Sequence, residues 1–180
     1  AHVVPDISDR LYRPFSEGEA RPEPAPFNDP ELSRQWHYNN DGSIEGSVAG
    51  ADINLFKAWR EIGAGRPEVV VAVIDGGIQY DHPDLAANMW TNEAEMNGTP
   101  GVDDDGNGYV DDIYGWNYYT HSGTITQHFH GTHVAGTVAA VNNNGIGVCG
   151  VAGGTGVGDG VRLMSCQNYD TDANGQEVGS

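Results

Sequence analysis

The chain has 180 residues, with 26 acidic and 8 basic side chains and a formal net charge of −18. That length fits one domain or a piece of a larger one, and 38% apolar residues with 26 glycines describe a loop-rich globular chain, neither coiled coil nor disordered tail. The charge excludes a nucleic-acid binder, which needs Lys and Arg to displace counterions from phosphates, and no apolar run approaches the roughly 20 residues of a membrane span.

Six of the nine prolines lie in the first 30 residues, so residues 1–28 read as an extended arm lying on a surface, with residues 29–180 forming part of a folded domain. The start Ala1-His2-Val3-Val4-Pro5 has no basic region followed by an apolar one, so no signal peptide is expected within the sequence; a mature chain could still be secreted. Residues 51–62 place Ile53, Phe56, Trp59 and, less regularly, Leu55 at helical spacing, and Gly63 and Gly65 stop that helix. The β-branched run Glu68 to Ile74 suits a strand covered on both faces, as in parallel α/β sheets. Residues 86–128 have almost no periodicity and read as a loop-rich insertion, with Trp36, Trp59, Trp90 and Trp116 filling satellite cores beneath it. His130 opens a second helix running to Val141, whose small residues predict a central, closely packed position. Val161 to Cys166 is a second strand, and Asp170 to Ser180 a polar, turn-rich tail. Cys149 and Cys166 are too few for a disulfide scaffold; they either pair across a short loop or stay as buried free thiols, the latter favoured. Asn97-Gly98-Thr99 is a surface-loop sequon.

The first strand ends at Asp75-Gly76-Gly77, and open α/β sheets bind ligands beyond the carboxyl ends of their strands. Asp75 at a strand end and His130 at a helix start can meet at that rim. The carboxylate would accept Nδ1–H, fix the tautomer and leave Nε2 as a general base. A second centre is the acidic loop Asp103 to Asp112. Oxygen donors at Asp103, Asp105, Asn107, the Tyr109 carbonyl and Asp112 repeat the opening logic of an EF-hand calcium loop. Residues 67–180 hold 15 carboxylates against one basic side chain, Arg162, so without cations such a body repels itself.

The blocks Val71-Ala72-Val73-Ile74-Asp75-Gly76-Gly77-Ile78, His82-Pro83-Asp84-Leu85 and His130-Gly131-Thr132-His133-Val134-Ala135-Gly136-Thr137 closely resemble the first two signature blocks of the subtilisin-like serine peptidases. The likeness runs from about Asn28 to Cys166. It implies an α/β fold, with a mostly parallel sheet and helices on both faces, of which this chain supplies the N-terminal portion; the isolated fragment should expose apolar surface. It also implies a serine endopeptidase acting on polypeptides, with Asp75 orienting and His130 as base, and His133 packed behind the site. None of Ser8, Ser16, Ser33, Ser43, Ser47, Ser122, Ser165 and Ser180 stands in the Gly-Thr-Ser-Met-Ala context of the family's nucleophile. The serine is therefore expected on a complementary C-terminal fragment, and this chain alone is expected to be inactive. Val141 to Val148 is similar to the calcium loop of thermitase-like members, which implies Ca²⁺ held by the carbonyls of Val141, Ile146 and Val148, Asn144, Asp84 and Asp29. Such sites fit a secreted or extracytoplasmic protein.

Two rival readings remain. His128-x-His130-x-x-His133 can hold zinc in metallo-β-lactamase-like hydrolases, although Thr132 stands where that family carries Asp. A calcium-stabilised pseudo-peptidase module predicts a companion chain that also lacks the serine.

Overall fold

The computed structural model describes residues 25–171 and 174–179. Most of the expected arm, residues 1–24, lies outside them, as do positions 172, 173 and 180 of the tail. Three parallel strands, β1 (Val70–Asp75), β2 (Gly115–Asn117) and β3 (Arg162–Gln167), form a sheet in the order β1-β3-β2. The register aligns Asp75, Gln167 and Asn117 at one carboxyl rim. This is the expected parallel α/β sheet. Three short helices, α1 (Leu55–Glu61), α2 (Glu93–Met96) and α3 (Phe129–Ala139), accompany it.

Among the described helices, α3 packs most extensively on the strands. It lays Gly131, Ala135 and Ala139 against the sheet, one per turn, so that the helix approaches closely. Val73, Ile78, Leu85, Leu163 and those alanines form the main core. The opposite face of α3 is open: His133 and Thr137 are exposed and line a groove of about 620 Å³, so the helix is not enclosed as its small residues predicted. β1 likewise has one uncovered face, with Val70 44% and Ile74 70% exposed. The apolar exposure expected of the fragment is therefore present, while a strand covered on both sides is not.

A second core joins Leu32, Tyr38, Leu55, Phe56, Trp59 and Cys149. Trp59 Nε1 donates to the Val151 carbonyl at 2.8 Å, and the Tyr38 hydroxyl to that of Cys149 at 3.0 Å. Burial of Leu55 rather than Ile53 corrects the sequence reading: Asn54 adopts a left-handed conformation (φ 54°), so Ile53 precedes the helix and is exposed. Trp36, at 48% exposure, fills no core. The segment 86–128 is more structured than its lack of periodicity suggested, contributing a 3-10 turn (Ala86–Asn88), α2 and β2. The tail is also structured: β4 (Tyr169–Thr171) pairs antiparallel with β5 (Glu177–Gly179). Both cysteines are free, Cys149 buried and Cys166 half-buried.

Candidate active site

Local backbone geometry delivers Asp75 and His130 to the same rim. After β1, Gly77 takes φ 103° and turns the chain under Thr126, where a Cβ would strike the Thr126 carbonyl. His128 caps α3, its Nδ1 accepting the His130 N–H at 3.3 Å. Gly131 lets the helix start against β1; a Cβ there would collide with the Gly77 carbonyl oxygen and lie 3.1 Å from Asp75 Oδ1. Gly131→Ala is accordingly expected to cost about 1–3 kcal/mol in urea unfolding and to push His130 off Asp75. A variant as stable as the parent would contradict that close fit.

His130 Nδ1 lies 2.8 Å from Asp75 Oδ2 and 3.0 Å from Oδ1. The Asp75 side chain is 8% exposed and that of His130 57%. Burial alone would raise the Asp75 pKa, but the Gly76 N–H (2.7 Å), the Tyr169 hydroxyl (2.7 Å) and His130 outweigh it, and the carboxyl is held below its ordinary value. The stability this gives is present above the ordinary carboxylate range and is lost as pH falls through the depressed value. Nδ1 faces the carboxylate, and Nε2 makes no hydrogen bond to a described residue, which leaves it available to take a proton. Tyr169 was not identified from sequence; lying two residues past β3, it falls under the same strand-end rule that marked Asp75. His133 is exposed rather than packed behind the pair.

The acidic loop closes on itself. Asp103 accepts the Asn107 and Gly108 N–H groups, Asp105 accepts that of Asn107, and the Tyr109 N–H meets Asn107 Oδ1. Glu95, only 4% exposed, is the loop's anchor. Its carboxylate takes the N–H groups of Asp104 (2.7 Å), Asp105 (3.3 Å) and Asp111 (2.8 Å). Oxygens of Glu95, Asp103 and Asp105 lie within 4.8 Å of one another. Asn92 bridges Asp105 and Asp112 with its amide, at 2.9 and 2.7 Å. Burial, together with the charges of Asp105 and Glu95, raises the Asp112 pKa. Glu95 and Asn92 were both missed, because Asn92-Glu93-Ala94-Glu95 reads as an ordinary helix start. No Lys or Arg occurs between Arg66 and Arg162, so no basic side chain from that stretch balances the loop.

At the exit of α3, Asp29 and Asp84 are both buried. Asp29 accepts the Asn143 N–H at 2.6 Å and the Asn144 N–H at 3.3 Å, which tethers the end of the N-terminal segment. Asp84 accepts Asn144 Nδ2 at 2.8 Å and the Val148 N–H at 3.0 Å, while its carbonyl takes the Val141 N–H. The Ile146 N–H donates to Asn144 Oδ1. Burial, with the Asp29 charge adding to it, raises the Asp84 pKa. Around Asp29 and Asp84 the loop residues make contact through their amide N–H groups, those of Asn143, Asn144 and Val148 donating to the two carboxylates. At both centres the converging polar groups are carboxylates and amides, with the His82 imidazole also acting on Asp84.

Comparison with known proteins matches residues 66–176 to the family described as Subtilase family. Subtilisin-like protease 1 of Plasmodium vivax is 45% identical over 147 residues, covering 80% of this chain and 20% of that protein. The extracellular basic protease of Dichelobacter nodosus is 34% identical over 193 residues, covering 96% and 29%. Among solved structures, the Aeromonas sobria serine protease in complex with its chaperone superposes with a TM-score of 0.57 at 29% identity, covering 86% of this chain and 22% of that one. The chain therefore spans less than a third of the length of these relatives.

Proposed function

The chain belongs to the subtilase family, and from that premise we propose that it carries two of the three catalytic residues of a serine endopeptidase, Asp75 and His130. The observation that supports this most directly is the contact of 2.8 Å from His130 Nδ1 to Asp75 Oδ2, on an imidazole whose side chain is more than half exposed. The serine is supplied by sequence outside these residues. Its Oγ attacks the carbonyl carbon of a peptide bond as His130 Nε2 takes the hydroxyl proton. Asp75 stabilises the imidazolium, which then protonates the leaving amine. Water, deprotonated by the same imidazole, hydrolyses the acyl-serine. Without the serine there is no acyl-enzyme, so these residues by themselves are inactive.

Calcium is the proposed bound cation at both acidic centres. Asp103, Asp105, Asn107, Asp112 and the Tyr109 carbonyl would hold one ion with Glu95. Asp29, Asp84, Asn144 and the carbonyls of Val141, Ile146 and Val148 would hold the other. Their chemistry is structural, tying loops that flank the active-site elements. Extracytoplasmic residence accords with such sites. No described helix is long and apolar enough to cross a membrane.

The experiment is fluorophosphonate labelling of the intact peptidase followed by peptide mapping. The label is expected on a serine outside this sequence. Labelling of Ser165 or Ser122, or no labelling of an otherwise folded protein, would overturn the assignment.

A further inference from the structure

Asp75 receives a third donor that the Asp–His–Ser chemistry does not itself require. The Tyr169 hydroxyl donates to Asp75 Oδ1 at 2.7 Å, the oxygen that also lies 3.0 Å from His130 Nδ1. The phenol is held there from several sides. Its ring stands edge-on to His128, the cap of α3, at a centroid distance of 5.4 Å. A Cβ on Gly76 would come within 2.8 Å of both His128 Cγ and Tyr169 Cε2, so both rings close over that glycine. The backbone is fixed as well: Gln167 Nε2 donates to the Tyr169 carbonyl at 3.0 Å, the Asn168 N–H to that of Asp75 at 3.0 Å, and Thr126 Oγ1 to Asp170 at 2.9 Å.

We propose that Tyr169 is a positioning residue for the Asp75–His130 pair: its hydroxyl pins one carboxylate oxygen and withdraws part of the negative charge that would otherwise hold the imidazolium. This rests on the reading of Asp75 and His130 as orienting acid and base. The ionisable groups packed around the pair are His128 at the head of α3 and Tyr169 on β4, with the Glu177 carboxylate of β5 acting on the phenol. Next to the anionic Asp75 the phenol does not ionise in the working range; burial and that carboxylate push its pKa up to about 12. It therefore acts as a fixed donor. A carboxylate that shares its charge with a phenol stabilises the imidazolium less than an unshared one would.

The test is Tyr169→Phe in the intact peptidase, a change that removes one oxygen and keeps the ring against His128. The imidazole pKa of His130, followed by NMR titration, is expected to rise by about half a unit to one unit. The acid limb of kcat/KM should move to higher pH by the same amount, with KM unchanged. Below that limb the shift corresponds to a three- to tenfold loss. Asp75→Asn is the control for the underlying pair: it should lower the imidazole pKa. If Asp75→Asn lowers it and Tyr169→Phe moves neither readout, Tyr169 is only a structural residue and the proposal fails. If Asp75→Asn leaves the imidazole unchanged, the pairing itself fails, whatever Tyr169 does. Should Tyr169→Phe not fold, Tyr169→Trp, which can offer an N–H donor, replaces it; an NMR pKa equal to that of the parent only when the donor reaches Asp75 supports the role, and a parent pKa without that contact overturns it.

Discussion

Replacing His130 by alanine is expected to abolish peptide hydrolysis by the assembled peptidase, with kcat falling by a factor on the order of 10⁶, the magnitude known for loss of the same base in subtilisin itself. KM should change little, because the imidazole acts on the serine proton and not on substrate binding. Asp75→Asn should cost on the order of 10⁴, since an amide favours the wrong tautomer. His133→Ala is the internal comparison. Its side chain lies on the face of α3 that the described residues leave open and makes no hydrogen bond to Asp75, so activity should be retained. Activity surviving in His130→Ala but lost in His133→Ala, measured with a chromogenic peptide, would reassign the base.

The second large effect is calcium removal. A site occupied at a hundred times its dissociation constant stabilises by about 2.7 kcal/mol. Two such sites contribute about 5 kcal/mol, and chelation should lower Tm by on the order of 10–20 °C. Calorimetric titration of the chelated protein is expected to find two ions. Asp103→Asn and Asp84→Asn should each remove a different one. Glu95→Gln should weaken the first without touching the second, because Glu95 orders only the loop from Asp104 to Asp111. A Tm indifferent to chelator would remove calcium from the account.

What could be read in the sequence was local. Val70 to Asp75 and the start of α3 carry their own signals, a β-branched run ended by glycines and a capped stripe of small residues, and both stand within two residues of where they were expected. β2 carries none: Gly115-Trp116-Asn117 is a strand because β3 offers it a ladder, not because of its propensities. The same distinction separates the site residues. Asp75 and His130 were marked by a strand end and a helix start together with the surrounding blocks, which resemble those of the subtilisin-like peptidases. Tyr169 reaches Asp75 across 94 residues, and Glu95 anchors a loop whose acidic residues were the visible part. Neither pairing has a sequence spacing to betray it. Nor does the exposure of His133, which depends on what packs against α3 rather than on its place one turn after the base.

One further consequence lies in β1. No described strand pairs its outer edge, and its open face presents Ile74 and Val70. Backbone donors and acceptors in a row beside an oily strip form a template on which another chain can polymerise. During synthesis this strand emerges before any partner that follows it, so its vulnerable interval is the wait on the ribosome. Yield on overexpression should then be governed by how quickly that template is capped, and a lysine at position 74 would act as a gatekeeper against inclusion bodies even as it compromised the finished molecule.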